Sequence, residues 1–299
     1  MDTRLFAVAG RPVIHSLSPL LWNHSFEKLN IDARYFRITG SSAEEIVKLI
    51  KEIPLTACNI TSPFKEEIIK YLDDVVGDAK KISTVNCIKN ENGKLTGYNT
   101  DIEGFNSALK ASGFEPKDKK AVVLGAGGAV KAVVLSLLKN GAKDVLILNR
   151  SFDKANKLSK DIGGRALNIS DKDKLSQEII NVDLIVSCLP YLEAEVIDVS
   201  LLQKSMFVFD ANYSGVSKLK KDAIGKGCKI IDGTDWLIHQ AGIFFKDIFN
   251  EDPVEYMKEA VVLDALKTNK NISIIGFMGS GKTRMGKALV TSLHSIKSF

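Results

Sequence analysis

The chain has 299 residues, 45% of them hydrophobic and 26% charged, and its 41 Lys and Arg against 36 Asp and Glu give a net charge of +5. This length predicts two domains, and the charge, which forms no basic stripe with interleaved aromatic residues, argues against nucleic-acid binding. No apolar run reaches the roughly eighteen residues of a membrane span. The four cysteines lack the spacing of a zinc or redox motif and no signal peptide is evident, so we expect a cytoplasmic protein without a bound metal.

Short apolar runs alternate with amphipathic stretches along the chain, a pattern that favours an α/β fold. In the first hundred residues the predicted strands are 5–10, 33–38 and 56–60, and the predicted helices are 20–29, 43–51 and 65–72. Residues 84–88 and 94–98 flank a turn with the sequence Asn-Glu-Asn-Gly and predict a β-hairpin. A hairpin beside parallel strands indicates a mixed sheet in this first unit.

The second unit alternates strands and helices more regularly. Its predicted buried strands are 121–124, 145–148, 184–187, 207–210 and 229–231, with helical segments between most of them, which indicates a doubly wound parallel sheet. We expect the boundary between the units within the helix at 102–112. Two further helices, at about 236–249 and 254–267, are expected to return to the first unit. The predicted domains are therefore 1–101 plus 238–268, then 102–237, followed by a tail at 269–299.

A glycine-rich segment lies between the strand 121–124 and a helical run, and it consists of Gly125, Ala126, Gly127, Gly128 and Ala129. Glycines at such a turn let the backbone approach a pyrophosphate, whose charge the helix N-terminus stabilises. The strict fingerprint has glycine at position 130, where this chain has Val. The segment predicts a dinucleotide site, and a glycine turn that serves only helix–strand packing is the alternative.

The next strand, 145–148, is followed by residues that discriminate between the two nicotinamide cofactors. NAD enzymes usually have Asp or Glu here for the ribose 2′-hydroxyl. This chain has Asn149 and Arg150 instead, and Arg150 offers a planar cation to a 2′-phosphate, with Ser151 and Lys154 as further donors. The sequence therefore predicts NADP as the cofactor. A solvated arginine at the end of a strand is the alternative.

Four polar clusters lie in predicted loops or at helix starts of the first unit. Two serine hydroxyls at a helix start can bind a carboxylate, and a lysine, an amide and a carboxylate occur near strand ends. Each cluster alone has an ordinary explanation, such as a helix cap or a solvated lysine. The clusters contain Ser16 and Ser18, Thr61 and Lys65, Asn86, and Asp101.

In their order along the chain, these motifs resemble those of the shikimate dehydrogenase family. The resemblance extends from Leu5 to about Lys267 and includes Ser-x-Ser-Pro, Asn-x-Thr-x-Pro-x-Lys, Val-Asn, Asn-Thr-Asp, Gly-Ala-Gly-Gly-Ala and Asn-Arg-Ser. It continues through Asp-Ala-Asn-Tyr at 210–213 and Gly-Thr-Asp-Trp at 233–236. It implies an N-terminal mixed-sheet substrate domain and a Rossmann-like NADP-binding domain. The implied activity is the reversible, NADPH-dependent reduction of 3-dehydroshikimate to shikimate, a step towards chorismate and the aromatic amino acids.

The resemblance also implies residue roles. Lys65 and Asp101 would form the catalytic pair, in which Lys65 donates a proton as hydride reaches the ketone carbon. Gly233 would let the nicotinamide approach closely. Ser16, Ser18 and Tyr213 would hold the substrate carboxylate, and Thr61, Asn86, Asp101 and Gln240 would hold the ring hydroxyls. The expected partner is this small-molecule substrate, bound by a monomer or homodimer.

One position departs from the family pattern. Trp22-Asn23 stands where the family commonly has His-Asn. Trp22 lies on the helix that follows the serine loop, and we expect a change in packing that affects the shape of the pocket rather than the reaction.

The tail carries a separate motif. Gly-Phe-Met-Gly-Ser-Gly-Lys-Thr at 276–283 matches a P-loop, preceded by an apolar run and followed by a helical run. The segment is similar to the start of shikimate kinase. Because no Walker-B acid follows before Phe299, we expect a truncated P-loop kinase fragment without kinase activity.

Three alternative functions remain open. A quinate/shikimate dehydrogenase that uses NAD is disfavoured by Arg150. A non-catalytic Rossmann-like regulatory protein would be favoured by the loss of Lys65 or Asp101, and both are present. A nucleoside-triphosphate switch built on the tail is opposed by the shortness of that segment.

Overall fold

The computed structural model describes residues 3–190, 197–213 and 215–268. Within these ranges every helix is too short or too polar to cross a membrane. Two six-stranded sheets, one mixed and one parallel, organise the fold. The predicted α/β class, with a mixed first sheet and a doubly wound second sheet, is confirmed.

The first sheet is built around β1, which pairs in parallel with strands on both sides. Its strands are β1 (Arg4–Ala9), β2 (Ala33–Ile38), β3 (Ala57–Ile60), β4 (Asp74–Val75), β5 (Cys87–Glu91) and β6 (Lys94–Tyr98), in the order β2-β1-β3-β5-β6-β4. The predicted hairpin is β5–β6, which is antiparallel, and β5 also pairs antiparallel with β3. The helices of this region are α1 (Ser18–Lys28), α2 (Ala43–Glu52) and α3 (Asp78–Ile82).

The predicted α-helix at 65–72 was wrong in type, because the segment forms a 3₁₀ helix at Glu67–Tyr71. The Lys65 carbonyl oxygen accepts a hydrogen bond from the Val85 N–H at 2.8 Å. This carbonyl is therefore engaged with a distant residue rather than with the next helical turn. The bond also anchors Lys65 beside the start of β5.

All strands of the second sheet are parallel. They are β7 (Lys120–Leu124), β8 (Asp144–Asn149), β9 (Arg165–Asn168), β10 (Leu184–Ser187), β11 (Phe207–Asp210) and β12 (Lys229–Asp232), in the order β12-β11-β10-β7-β8-β9. The chain order reverses between β7 and β10, and such a switch point opens a crevice at the carboxyl ends of the strands. The helices are α4 (Asp101–Ala111), α5 (Gly128–Lys139), α6 (Phe152–Ile162), α7 (Lys172–Ile179) and α8 (Lys218–Gly225).

Two last helices, α9 (Gly233–Phe249) and α10 (Val254–Thr268), complete the described fold. Helix α9 packs against the core of the second sheet near its start and against the core of the first sheet further along. Trp236 packs with the core of the second sheet, beside Phe105 and Phe209, whereas Ile238 packs in the core of the first sheet. Helix α9 therefore links the two cores directly. The domain limits 1–101 plus 238–268 and 102–237 stay a prediction.

Trp22 occupies the aromatic core of the first sheet. Its ring is fully buried and lies 5.1 Å from the rings of Tyr35 and Phe245, measured between centroids. It also contacts Phe6 and Phe26. The structure thus places Trp22 in packing contacts and not on the wall of the cleft described below.

Candidate active site between the two sheets

A cleft of about 770 Å³ lies where the carboxyl ends of strands from both sheets meet. Residues from the first sheet, the second sheet and α9 line it. Many of the predicted site residues therefore share one cavity although they are far apart in sequence. Those that line it are Ser16, Ser18, Thr61, Lys65, Asn86, Asp101, Gly127, Gly128, Ala129, Tyr213, Gly233 and Gln240.

Lys65 and Asp101 form an ion pair at the edge of this cleft. The Lys65 Nζ lies 2.6 Å from Asp101 Oδ2, with side chains that are 19% and 9% exposed, respectively. Asp101 is the first residue of α4, and Lys65 lies in the turn before the 3₁₀ helix. A short charge-assisted bond between mostly buried groups is strong and fixes both side chains. The pair presents an ammonium donor whose direction is set by a carboxylate.

Asn86 connects this ion pair to its surroundings. Its Nδ2 lies 2.9 Å from Asp101 Oδ1, 3.1 Å from Thr100 Oγ1 and 3.3 Å from Gln240 Oε1. Its Oδ1 accepts the Thr100 N–H at 2.8 Å. Because a backbone donor fixes the oxygen side of the amide, the nitrogen must face the three oxygens. Asn86 therefore holds Asp101 and Gln240 in a defined arrangement before any ligand binds.

A second set of polar side chains lies around the serine loop, the segment that carries Ser16 and Ser18. The Ser16 hydroxyl donates to Ser18 Oγ at 3.2 Å, and both residues are buried. Arg37 donates to the Ser16 carbonyl oxygen at 2.7 Å. Burial raises the pKa of Tyr213, and the nearby Arg37 charge partly opposes this rise. The Tyr213 hydroxyl is therefore a neutral donor near a cation, an environment that suits a carboxylate.

Sequence reasoning missed several residues that support this wall. The Tyr35 hydroxyl donates to Asn59 Oδ1 at 2.7 Å, and Asn59 Nδ2 donates to the Asn86 carbonyl oxygen at 3.3 Å. Burial raises the pKa of Tyr35 well above its usual value, which keeps the hydroxyl a donor. Trp236 Nε1 donates to the Asp101 carbonyl oxygen at 2.9 Å. Asn59 and Trp236 lie inside recognised motifs, which is the available signal, whereas nothing local marks Tyr35.

The glycine-rich segment forms the opposite wall. Gly125 directly follows β7 and has a φ of +120°, which favours glycine. A Cβ atom added at Gly127 would meet no described residue within 4 Å, and the N-terminus of α5 has no side-chain cap among these residues. An open backbone at an uncapped helix start is suited to the phosphates of a dinucleotide. The residues present therefore fit the expected cofactor.

An ion pair joins the two walls close to this segment. Lys131, on α5, forms an ion pair with Glu66, with 2.9 Å between Nζ and Oε1. Glu66 is the residue that follows Lys65 in the sequence. A Cβ at Gly128 would lie 3.3 Å from Thr84 Cγ2 and 4.0 Å from Lys65 Cβ. The start of α5 thus contacts the segment that carries the lysine of the ion pair.

The remaining predicted cofactor residues do not line the cleft. Asn149 Nδ2 donates to the Ser151 carbonyl oxygen at 3.1 Å, and Arg150 and Lys154 are exposed. Asn149 is the last residue of β8, and Arg150 and Lys154 follow it. Because β8 pairs with β7, these residues lie beside the strand that the glycine-rich segment follows. The residues outside the cleft lining are Gly125, Ala126, Asn149, Arg150, Ser151 and Lys154. Their roles stay predictions.

Two family models match the chain. The shikimate dehydrogenase substrate binding domain matches residues 8–88, and shikimate/quinate 5-dehydrogenase matches residues 107–211. A curated relative, the shikimate dehydrogenase (NADP(+)) of Caldanaerobacter subterraneus, is 44% identical over 160 residues, which are 53% of this chain and 57% of that protein. The sequence match thus spans little more than half the length of such curated relatives.

Solved structures match over a larger share of the chain. Shikimate dehydrogenase from Aquifex aeolicus is 35% identical with a TM-score of 0.80, over 87% of this chain and 97% of that one. Shikimate 5-dehydrogenase from Thermus thermophilus, in complex with NADP(H) and shikimate, is 30% identical with a TM-score of 0.78, over 86% of this chain and 98% of that one. The chain therefore belongs to the shikimate dehydrogenase family.

Proposed function

We propose that this protein is an NADP-dependent shikimate dehydrogenase, which reversibly reduces 3-dehydroshikimate to shikimate. The observation that carries the proposal is the 2.6 Å pair between Lys65 and Asp101 in a cleft whose opposite wall is the glycine-rich start of α5. The names of the relatives and the complex of the Thermus protein with NADP(H) and shikimate support it. Scattered, unpaired thiols agree with action in the cytoplasm.

The substrate carboxylate would bind between the serine loop and Tyr213. Ser16 and Ser18 contribute hydroxyls, and the neighbouring Arg37 makes this end of the cleft positive. Ring hydroxyls would contact the amides of Asn86 and Gln240 and the hydroxyl of Thr61. Because Asn86 and Gln240 already bond to each other, the ring enters a site whose polar groups are oriented in advance.

Lys65 and Asp101 would carry the proton chemistry. The bound nicotinamide supplies the hydride. As charge develops on the ketone oxygen, the Lys65 ammonium stabilises it and transfers a proton from Nζ to that oxygen. The Asp101 carboxylate holds Nζ in place for the transfer, and the reverse reaction returns the proton to Lys65.

The cofactor would be held mainly by backbone groups and exposed cations. The N–H groups of Gly127, Gly128 and Ala129, at the start of α5, would bind the pyrophosphate. Arg150 and Lys154 would bind a 2′-phosphate, with Ser151 and Asn149 beside them. This set favours NADP over NAD, since NAD has no 2′-phosphate for the two cations to bind.

An absorbance assay at 340 nm tests the proposal directly. NADPH should be oxidised rapidly with 3-dehydroshikimate, and replacement by NADH should slow the reaction strongly. In the reverse direction, shikimate with NADP should react faster than quinate with NAD. Absence of turnover with 3-dehydroshikimate and either cofactor would contradict the proposal, and preference for quinate with NAD would replace it by the quinate/shikimate alternative.

Residues 269–299 lie outside the described structure, so their resemblance to the start of shikimate kinase stays a prediction. We propose that dehydrogenation does not require them. Among the described residues, those that line the cleft lie between Val8 and Gln240. The proposed catalytic and substrate-binding residues therefore all precede the tail.

A further inference from the structure

Helices α4 and α9 approach each other unusually closely at one point. Gly104 lies one turn after Asp101 on α4 and faces Gln240 on α9. A Cβ atom added at Gly104 would lie 2.6 Å from Gln240 Cβ and 2.7 Å from both its Cα and its N. Two of these atoms belong to the backbone, so rotation of a side chain does not relieve the overlap. The observed separation of the helices thus requires glycine at position 104.

This close approach determines where two cleft residues lie. Trp236 and Gln240 are four residues apart and therefore share one face of α9. Trp236 Nε1 donates to the Asp101 carbonyl oxygen at 2.9 Å, while Gln240 Oε1 lies 3.3 Å from Asn86 Nδ2 and 3.4 Å from Thr100 Oγ1. Gln240 is only 8% exposed. A displacement of α9 would therefore move the Trp236 indole away from the Asp101 carbonyl and the Gln240 amide away from Asn86.

We propose that Gly104 is a positioning residue for substrate binding. It does not line the cleft, and it acts by allowing α9 to place the Gln240 amide beside Asn86, which in turn bonds to Asp101. This inference rests on the proposed function, because the substrate that Gln240 would contact is the hydroxylated ring. Of the predicted cofactor residues, Gly127 and Arg150 belong to neither helix, and Gly233 begins α9 two turns before Gln240.

Gly104→Ala tests the inference, with Gly225→Ala in α8 as the matched control. A Cβ at Gly225 would meet nothing within 4 Å, so the control adds the same methyl group without an overlap. Gly104→Ala should raise the KM for 3-dehydroshikimate about three- to tenfold, the size expected for weakening one hydrogen bond. The KM for NADPH should change less than the KM for 3-dehydroshikimate, because Gly233 lies two turns of α9 away from the overlap, and Gly225→Ala should change neither constant.

A double-mutant cycle separates positioning from general loosening of the fold. If Gly104 acts through the Gln240 amide, the double variant Gly104→Ala/Gln240→Ala should have nearly the same substrate KM as Gln240→Ala alone. Additive effects on this KM, or an unchanged KM in Gly104→Ala, would overturn the inference. An inactive wild-type protein would instead overturn the proposed function, and this inference with it.

If Gly104→Ala does not fold, Trp236→Phe probes the same helix contact. It removes the indole N–H that bonds to the Asp101 carbonyl oxygen and keeps an aromatic ring in the core. The inference requires a higher substrate KM that is non-additive with Gln240→Ala. An additive result would contradict it.

Discussion

The two walls of the cleft hold their polar groups in different ways. On the substrate wall, Lys65, Asp101 and Asn86 are mostly buried and bonded to one another, with distances of 2.6 and 2.9 Å. On the wall proposed to hold the cofactor, no side-chain cap is present at the start of α5 among the described residues, and the predicted cations Arg150 and Lys154 lie exposed beyond the cleft lining. The polar groups of the first wall are thus held by hydrogen bonds within the protein, whereas the donors of the second are left facing solvent.

This difference indicates how each wall responds to substitution. A change on the substrate wall breaks contacts that exist without ligand, and it leaves a buried partner unpaired, which is costly. A change among the exposed cations removes only an interaction that forms when the cofactor binds. We therefore expect losses in kcat from the first wall and losses in cofactor affinity from the second.

The largest expected effect is that of Lys65→Ala. Removal of a positioned proton donor should lower kcat by about 10²–10⁴-fold, measured by NADPH absorbance with saturating 3-dehydroshikimate. The KM for NADPH should change little, because the cofactor wall is intact. Lys70→Ala is the control, since Lys70 is exposed in the same 3₁₀ helix. Near-normal turnover by a folded Lys65→Ala variant would remove Lys65 from the catalytic role.

Arg150→Ser should have the next largest effect, on cofactor affinity. A charge-assisted hydrogen bond contributes about 1.5–3 kcal/mol, so the KM for NADPH should rise roughly 10- to 150-fold. The KM for NADH should be nearly unchanged, because NADH lacks the 2′-phosphate.

Lys160→Ser, at an exposed position near the end of α6, provides the control for an equal change in charge. Equal weakening of both cofactors by Arg150→Ser would assign Arg150 a structural role and remove the basis for choosing NADP.

The two walls also differ in what the sequence could predict. Thr61 follows β3, Asn86 precedes the antiparallel β5, and the glycine-rich segment follows β7 in the other sheet. Their roles in one site were predicted from the family resemblance of the motifs. Cofactor residues were identified by local spacing alone. The supporting contacts were not predictable in this way, because the bonds of Tyr35 to Asn59 and Arg37 to Ser16 join residues 24 and 21 positions apart.

Strand β9, strand β4 and helix α3 escaped prediction for related reasons. Strand β9 has only Ala166 and Leu167 as apolar residues and is not fully buried at any position, so its pattern is weak. Strand β4 has two residues and α3 has five, which is too short for periodicity to appear. The 3₁₀ helix replaced an α-helix because Val85, twenty residues away, bonds to the Lys65 carbonyl. These elements are determined by tertiary contacts rather than by local propensity.

The reactivity of the Cys188 thiol tests whether burial also affects the side chains beside the glycine-rich segment. Cys188 follows β10 and lines the cleft, where burial raises its pKa to about 12, with Asp210 and Asp101 adding to the rise. At pH 8 only a small fraction is therefore thiolate, and iodoacetamide labelling should be about 10³-fold slower than for an ordinary thiol of pKa ~8.5. The rate should rise about tenfold per pH unit between pH 7 and 9.5.

Peptide mass spectrometry would follow this labelling, and Cys188→Ser should remove it. The same variant should change kcat by less than about twofold, since Cys188 has no proposed part in proton transfer. Fast labelling at pH 7 would mean that the Cys188 thiol is more open to solvent than the groups of the substrate wall.

The smallest expected effect is that of ending the chain after Asn269, which should leave both walls unchanged. The described residues that line the cleft precede position 241, and the buried core residues that the structure describes extend to Ala260. A P-loop acts when a parallel sheet holds it and a distant acid positions magnesium, whereas the tail sequence predicts one strand and one helix. The shortened chain should therefore keep its kcat and both KM values within about twofold, and neither form should consume ATP with shikimate present. A lower thermal midpoint with unchanged kinetics would assign residues 272–275, which are apolar, a purely structural contact. ATP consumption that depends on shikimate and disappears on shortening would instead show that the tail contributes a kinase site.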